Sequence, residues 1–197
     1  MIGVSTVSLV YALLAVVATA VVVGLLGLAV AARRSSTAVG WLDGLRSSLG
    51  SSALLAAFVV AVLATVGSLY FSEVAHFEPC RLCWYQRIAM YPLVVILGIA
   101  AWRRDVRVRR YAVPVAVIGV LIATYHYALE WLPWLDSGVC SATTPCTIVW
   151  FREFGFISLP YLALSAFLLI VALLWLAGDA ADPEPFEHPT SSDRRSS

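Results

Sequence analysis

Five long apolar stretches, separated by shorter polar segments, run along the chain. They cover approximately residues 7–32, 53–71, 82–102, 111–129 and 157–177. Each approaches or exceeds the roughly 20 residues that an α-helix needs to cross a bilayer. No positive charge precedes the first stretch, and its apolar run is longer than a typical signal core, so we expect a retained helix. The pattern therefore predicts an all-α integral membrane protein with five spans.

Arginine residues are concentrated in two of the segments that connect these spans. The first and third connections contain Arg33, Arg34, Arg46, Arg103, Arg104, Arg107, Arg109 and Arg110. Short connections rich in basic residues stay on the cytoplasmic side of a membrane. The distribution therefore predicts an N-terminus outside and a C-terminus in the cytoplasm, with residues 72–81 and 130–156 facing out. All four cysteines of the chain lie in or beside these two outer segments.

The composition agrees with a protein embedded in membrane lipid. Hydrophobic residues make up 61% of the chain, charged residues only 13%, and the formal net charge is +1. This balance argues against a soluble domain and gives no reason to expect a nucleic-acid partner. Residues 35–52 are expected to form a linker or a short interfacial helix. Residues 178–197, rich in Asp, Glu, Pro and Ser, are expected to be disordered.

Cys80 and Cys83 form a CxxC motif at the start of the third stretch. A helix that began only at Ile88 would span about 22 Å, less than the ~30 Å of a hydrocarbon core, so we expect it to begin near the cysteines. Unpaired N–H groups at a helix start favour a thiolate, which makes such a pair reactive. Arg87, one turn after Cys83, adds a positive charge and could hydrogen-bond a quinone carbonyl. The alternatives for the cysteine pair are an inert disulfide or half of a zinc site. The alternative for Arg87 is a side chain that merely extends to the lipid headgroups.

The second cysteine pair, Cys140 and Cys146, lies in a loop that contains proline and glycine. The short separation suits a local disulfide that is exposed and reducible, as exchange with a partner protein requires. A purely structural bridge is the alternative. The aromatic segment that follows, residues 147–157, is expected to lie in the membrane interface, and covering a quinone pocket is its alternative role.

His126, in the fourth stretch, is predicted to lie at a depth similar to that of Arg87. A histidine there could hydrogen-bond a quinone or relay a proton, and Glu130, four residues later, could orient it. A histidine that only makes hydrogen bonds within the bundle is the alternative.

Residues 80–87, Cys-Arg-Leu-Cys-Trp-Tyr-Gln-Arg, resemble the signature of the disulfide bond formation protein B (DsbB) family. The resemblance continues into residues 125–130 and covers roughly 53–177. It implies a four-helix membrane domain there. The first apolar stretch departs from the family as an extra helix beyond those four, so we expect an N-terminal transmembrane helix and cytoplasmic linker at 1–52 and a disordered cytoplasmic tail at 178–197. The short spacing of the second cysteine pair resembles the short-loop Gram-positive relatives (BdbC-like).

The resemblance also implies an activity and a set of roles. The protein would reoxidise an extracytoplasmic thioredoxin-fold thiol oxidase (DsbA-like) and pass the electrons to a membrane quinone, either ubiquinone or menaquinone. Cys83 would be the thiolate that faces the quinone and Cys80 its partner. Arg87 would contact the quinone, and His126 would lie near it.

The resemblance assigns the second pair to exchange with the partner protein. Cys140 would be the sulfur that the partner attacks, and Cys146 would form the link to Cys80. No resident metal is expected in this mechanism.

Other classes of function remain open at this point. A vitamin K epoxide reductase-like enzyme also couples outer thiols to a quinone-type molecule, but that family places its CxxC motif in a late helix. A protein without enzymatic activity could use all four cysteines to bind zinc or copper, although thiols joined in disulfides cannot also ligate a metal. A transporter would need an interior lined with buried charge, which we do not expect from these spans.

Overall fold

Long helices account for nearly all of the regular structure. The computed structural model describes residues 3–136, 138–140 and 144–177, which contain five long α-helices and no named strand. In chain order the helices are α1 Val4–Ala32, α2 Ser36–Leu69, α3 Arg81–Arg103, α4 Arg109–Trp131 and α5 Leu159–Ala177. Each contains or borders a segment long and apolar enough to cross a membrane, where a helix satisfies its own backbone hydrogen bonds. The predicted five-span, all-α architecture is confirmed.

Helices α2 to α5 form a four-helix bundle. Helix α2 packs against α3 and α5, and α4 packs against the same two helices. The centre is filled by fully buried side chains, which include Leu93, Leu97, Phe167, Ile170 and Leu174. The close contact between α4 and α5 requires Gly119, because a Cβ at this position would lie 2.3 Å from the Phe167 ring. The predicted four-helix domain with one additional helix is therefore confirmed.

The additional helix, α1, packs against α2 and α5. Its buried face is formed mainly by small residues, among them Ala12, Ala15 and Ala18. Small side chains let two helices approach closely, which favours their association in a membrane through dispersion contacts. A hydrogen bond of 3.1 Å between the Thr19 and Tyr161 hydroxyls joins α1 to α5. Helix α1 is thus a packed part of the fold.

Residues 35–52 differ from the sequence-based expectation. Instead of a linker or a separate short helix, they lead into and form the first part of α2, which continues without a break to Leu69. Once a helix has started, each further residue adds a hydrogen bond, and no proline interrupts this segment. Arg46 also packs against α5, with its guanidinium carbon 4.5 Å from the centre of the Trp175 ring. The segment predicted to be disordered, 178–197, lies outside the described residues.

The two segments at the cysteine end of the bundle contact each other. A π-helical turn, Tyr70–Val74, ends α2 and leads to Phe77, whose ring stacks on Trp150 with the centroids 4.7 Å apart. Helix α1 contacts the same region, since the Ser8 hydroxyl donates to the Glu153 carboxylate at 2.7 Å. These contacts hold the segment after Cys146 over the ends of the helices. Its location at the membrane interface stays a prediction.

Candidate redox site

The CxxC pair lies at the first turn of α3, as predicted. Cys80 is the N-cap residue, and its sulfur accepts a hydrogen bond from the backbone N–H of Cys83 at 3.3 Å. Residue Cys83 is the third of the helix, so both side chains project from the same turn. The two Sγ atoms lie 2.9 Å apart, and both cysteines are free. The short distance between the sulfurs makes the pair ready to form or break a disulfide.

Cys80 is buried, with 5% of its surface exposed, and it contacts His126 from α4. The distance from Cys80 Sγ to His126 Nε2 is 3.5 Å, and the other ring nitrogen lies 3.3 Å from the Gln86 amide nitrogen. A hydrogen bond from the Cys83 thiol, helped by the charge and hydrogen bonding of His126, lowers the pKa of Cys80 from 9.0 to about 4, against the opposing effect of burial. These contacts favour the thiolate at Cys80 in the reduced pair. The resemblance had placed the thiolate on Cys83.

Arg87 is held inside the bundle by α2. Its Nε donates to the Ser68 hydroxyl and one Nη donates to the Ser68 backbone carbonyl, both at 3.0 Å. The guanidinium carbon lies 5.1 Å from the centre of the Trp84 ring, close enough for a cation–π contact. Arg87 is only 9% exposed. These contacts argue against an arginine that extends freely to the headgroups, and they hold a positive charge at a fixed position.

Arg87 and Cys83 line the larger of two cavities. It has a volume of about 270 Å³ and is bordered by α1, α2, α3, α5 and the segments around Phe77 and Trp150. Most of the lining is apolar, and the exceptions include Ser68 and Glu78. A quinone needs an apolar enclosure for its ring, a hydrogen-bond donor for its carbonyl and a thiol within reach. The residues at this cavity fit those requirements.

A second, much smaller cavity lies on the other side of the CxxC pair. It measures about 10 Å³, and its lining includes Cys80, Cys83, His126, Glu130 and Cys146. Cys146 is 1% exposed and belongs to the same buried cluster as Cys80. The structure thus brings the second cysteine pair against the first, and Cys83 borders both cavities.

Cys140 and Cys146 form a disulfide, with their Cα atoms 5.7 Å apart. This agrees with the local bridge expected from their spacing. The bridge was also expected to be exposed, and this was wrong, because Cys146 is packed against the CxxC pair and buried while Cys140 is half-buried. It also removes two of the ligands required by the alternative of a four-cysteine metal site, because disulfide sulfurs do not act as thiolate ligands. Three possible ligand atoms remain together, from Cys80, Cys83 and His126, all within 4.8 Å of one another.

Several contacts in the site were not predicted from the sequence. Glu130 was expected to orient His126, but its carboxylate accepts a hydrogen bond from the Ser158 hydroxyl, and the described hydrogen bond to His126 Nδ1 comes from Gln86. Gln86 lies between the CxxC motif and Arg87. A polar amide in a membrane span is uncommon, and it could have marked Gln86 as a candidate site residue from the sequence alone. The contact between Ser68 and Arg87 had no comparable signal.

Comparison with known proteins agrees with this arrangement. Residues 50–177 match the family described as "Disulfide bond formation protein DsbB". The chain belongs to the DsbB family. Membership identifies it as a membrane protein that catalyses thiol–disulfide oxidation and reduction. The family match also argues against the vitamin K epoxide reductase-like alternative. The matched region begins at residue 50, so α1 lies outside it.

Curated relatives within the DsbB family come from Gram-positive bacteria. The chain is 50% identical over 125 residues, 62% of its length and 90% of the relative, to "Disulfide bond formation protein C" of Bacillus subtilis. It is 48% identical over 119 residues, 60% of its length and 86% of the relative, to "Probable disulfide formation protein C" of Bacillus cereus. The corresponding relative of Halalkalibacterium halodurans is 46% identical over 118 residues, with coverages of 59% and 86%. No solved structure matches the chain significantly.

Proposed function

We propose that this protein oxidises the thiols of an extracytoplasmic thioredoxin-fold oxidase and transfers the electrons to a membrane quinone. One observation carries the proposal: the two sulfurs of the CxxC pair border cavities of different kinds. Cys80 borders the small cavity that Cys146 also lines, and Cys83 borders the large apolar cavity that Arg87 lines. This arrangement supports a relay in which the CxxC pair receives electrons from Cys146 and passes them to a quinone.

The first half of the reaction is exchange between disulfides. A thiolate of the reduced partner attacks Cys140, which breaks the Cys140–Cys146 bond and releases the Cys146 thiolate. The partner's second thiol then displaces Cys140, and the partner leaves with a disulfide. Two electrons and two protons have passed from the partner to Cys140 and Cys146 in these steps.

The second half transfers the two electrons to the oxidised CxxC pair. The Cys146 thiolate attacks Cys80, the Cys80–Cys83 disulfide breaks, and Cys83 leaves as a thiolate beside the large cavity. Attack of Cys140 on Cys146 restores their disulfide and frees Cys80. While Cys80 is bound to Cys146 it cannot hold the negative charge, so the free thiolate at this stage is Cys83, as the resemblance implied.

The residues around the large cavity are suited to a quinone acceptor. A bound quinone would supply the capacity to accept two electrons and two protons. Arg87, fixed by Ser68, would donate a hydrogen bond to a quinone carbonyl and stabilise negative charge near the ring. Ubiquinone and menaquinone both satisfy these requirements. Arginine placement further supports an N-terminus outside and a C-terminus in the cytoplasm, so that both cysteine pairs face the partner.

The direct test is quinone reduction by the purified full-length protein supplied with a reduced thioredoxin-fold oxidase. We expect reduction by the unmodified protein and its loss in Cys80→Ala and in Cys140→Ala. A matched control is Val74→Ala, because Val74 is exposed at the same end of the bundle and lines neither cavity. Quinone reduction that survives both cysteine substitutions would contradict the relay.

A Cys80, Cys83 and His126 metal site is the second candidate, favoured by the mutual proximity of the three ligand atoms. It predicts stoichiometric zinc or copper in the purified protein. It also predicts that Cys80 and Cys83 are trapped as two thiols whether or not the reduced partner is added, because acid releases the metal and leaves the sulfurs reduced. The redox relay predicts instead that the number of trapped thiols changes by two when the partner is added in its reduced form.

A further inference from the structure

Helix α1 forms one side of the large cavity. Six of its residues line it: Tyr11, Leu14, Ala15, Val17, Ala18 and Val21. At 1.5 Å per residue, these positions extend roughly 15 Å along the helix axis. Opposite them the cavity reaches Cys83 and Arg87, so one enclosure connects α1 to the redox pair. The cavity is elongated along the helices.

The position of α1 beside this cavity is fixed by specific contacts. The Tyr11 hydroxyl donates to the backbone carbonyl of Leu63 in α2 at 3.1 Å. The Tyr11 ring fits against Gly67, where a Cβ would lie 2.5 Å from the ring. Any larger residue at position 67 would displace the tyrosine. These contacts place an ordered helix face, and not a loosely associated one, along the cavity.

The chemistry of the lining changes between its two ends. Polar and reactive groups, including Cys83, Arg87 and Ser68, cluster on the α2–α3 side, whereas α1 contributes mainly alanine, valine and leucine side chains. Isoprenoid quinones have the same division, with a polar ring and a long apolar tail. Inside a membrane, where the lipid is itself apolar, such a tail is held by the dispersion contacts that it makes in a close-fitting enclosure.

We propose that α1 is a binding wall for the isoprenoid tail of the quinone, so that this helix sets the preference of the protein for long-tailed quinones. The proposal rests on the proposed function and extends it to residues outside the DsbB family match, which begins at residue 50. Ring binding depends on Cys83 and Arg87. Tail binding depends on the face of α1 that includes Leu14 and Val17.

Adjacent residues on α1 supply a matched pair of variants. Leu14 and Val17 line the cavity, whereas their neighbours Leu13 and Val16 do not, and all four side chains are exposed. The double substitution Leu14→Ala with Val17→Ala therefore removes the same atoms as Leu13→Ala with Val16→Ala. Since none of the four is buried in the bundle, both variants are expected to fold.

The measurement is the dissociation constant of the purified full-length protein for two probes, a long-tailed isoprenoid quinone and the same ring without a tail, followed by quenching of tryptophan fluorescence. We expect the lining variant to bind the long-tailed quinone about tenfold more weakly, as partial loss of apolar contact predicts. Binding of the tail-less ring should be unchanged, and the control variant should match the unmodified protein. The proposal would be overturned if the lining and control variants weakened binding of the long-tailed quinone equally. It would also be overturned if the lining variant weakened binding of the long-tailed quinone and of the tail-less ring equally.

A second readout locates the tail directly. A quinone with a photoreactive group at the end of its tail should form cross-links to residues 11–21, identified by mass spectrometry. Cross-links confined to α4, which contributes none of the described lining residues, would also overturn the proposal. If the unmodified protein neither binds nor reduces any quinone, the proposed function itself fails. If it reduces both probes but the α1 variants have no selective effect, only the role of α1 fails.

Discussion

The two sides of the first turn of α3 differ in volume and in chemistry. Beside Cys83 lies a largely apolar cavity of about 270 Å³ with the fixed cation of Arg87. Beside Cys80 lies a space of about 10 Å³ bordered by His126 and Cys146. The two sulfurs that face these sides are only 2.9 Å apart. Within one helical turn the protein presents two different environments to a single redox pair.

This difference follows from what each reaction requires. Disulfide exchange needs one sulfur to approach another in line and needs little free space, so a tight cavity suffices. Reduction of an organic acceptor needs room for a ring and a group that stabilises developing charge. Under the proposed function, disulfide exchange takes place on the Cys80 side and electrons leave on the Cys83 side. Each substitution below is expected to affect one side more than the other.

The largest effect is expected for Cys83→Ser. Without Cys83 no disulfide can form in the CxxC pair, so turnover with quinone should fall by more than about a thousandfold, as for loss of a nucleophile. The Cys80 side should still react, and Cys80 should accumulate as a mixed disulfide with Cys146. Peptide mapping under non-reducing conditions measures that bond. A bond from Cys80 to Cys140 in its place would reverse the relay order proposed for the second pair.

Arg87→Met comes next. It removes the fixed charge from the Cys83 side. A lost hydrogen bond to a charged group costs on the order of 1.5–3 kcal/mol, which predicts a kcat/KM for quinone that is tenfold to hundredfold lower. Arg81→Met is the control, because Arg81 is exposed on the same helix. Thiol exchange with the partner, measured by single-turnover trapping, should be unchanged in both. An equal loss in exchange would show that Arg87 does not act on one side alone.

His126→Phe should affect the Cys80 side. The pKa of Cys80, lowered to about 4 first by the Cys83 hydrogen bond and then by His126, should rise but stay below the usual 9.0 because the Cys83 contribution remains. Thiolate absorbance at 240 nm in the reduced protein measures it, with difference spectra against Cys80→Ala. The thiolate should persist between pH 5 and 8 in the unmodified protein and should be lost as the pH falls through about 4. A titration midpoint that does not move in the variant would remove His126 from the thiolate's environment.

The smallest effect is expected for Gln86→Met, which removes the amide beside His126 Nδ1 and keeps a similar side-chain volume. Loss of one neutral hydrogen bond, about 1 kcal/mol, predicts about fivefold slower exchange through Cys80. Tyr85→Phe, at an exposed position in the same turn, is the control. Gln86 also lines the large cavity, so the deciding measurement is exchange through Cys80. An exchange rate that is unchanged in Gln86→Met would show that this amide does not act on the Cys80 side through His126.

Sequence reasoning succeeded where the governing physics is local. The spans follow from runs of apolar residues, and the start of α3 at Cys80 follows from the length that a helix needs. The same reasoning predicted a linker or a short interfacial helix for residues 35–52, whereas they begin a helix that continues into the membrane span. Apolar runs locate the spans, but helix continuity depends on backbone hydrogen bonds that polar residues also make.

The arrangement of the site was less accessible because it depends on packing between distant parts of the chain. Ser68 and Arg87 meet only because α2 packs on α3. The role of α1 at the cavity likewise depends on how that helix lies against α2 and α5, which no local pattern encodes. Gln86 is an intermediate case. Its polarity within a membrane span is evident from the sequence, but its contact with His126 depends on the packing of α3 against α4.

The stacking of Trp150 on Phe77 has a consequence for the fidelity of electron flow. Trp150 borders both cavities, so its indole forms part of the wall between the cavity that Cys146 lines and the cavity that Arg87 lines. If a small thiol reacted directly with a quinone, electrons would reach the quinone without passing through the partner protein. Under the proposed function, the Trp150 ring, stacked on Phe77 with the centroids 4.7 Å apart, keeps the two cavities separate. Electrons then pass from one side to the other through the CxxC pair.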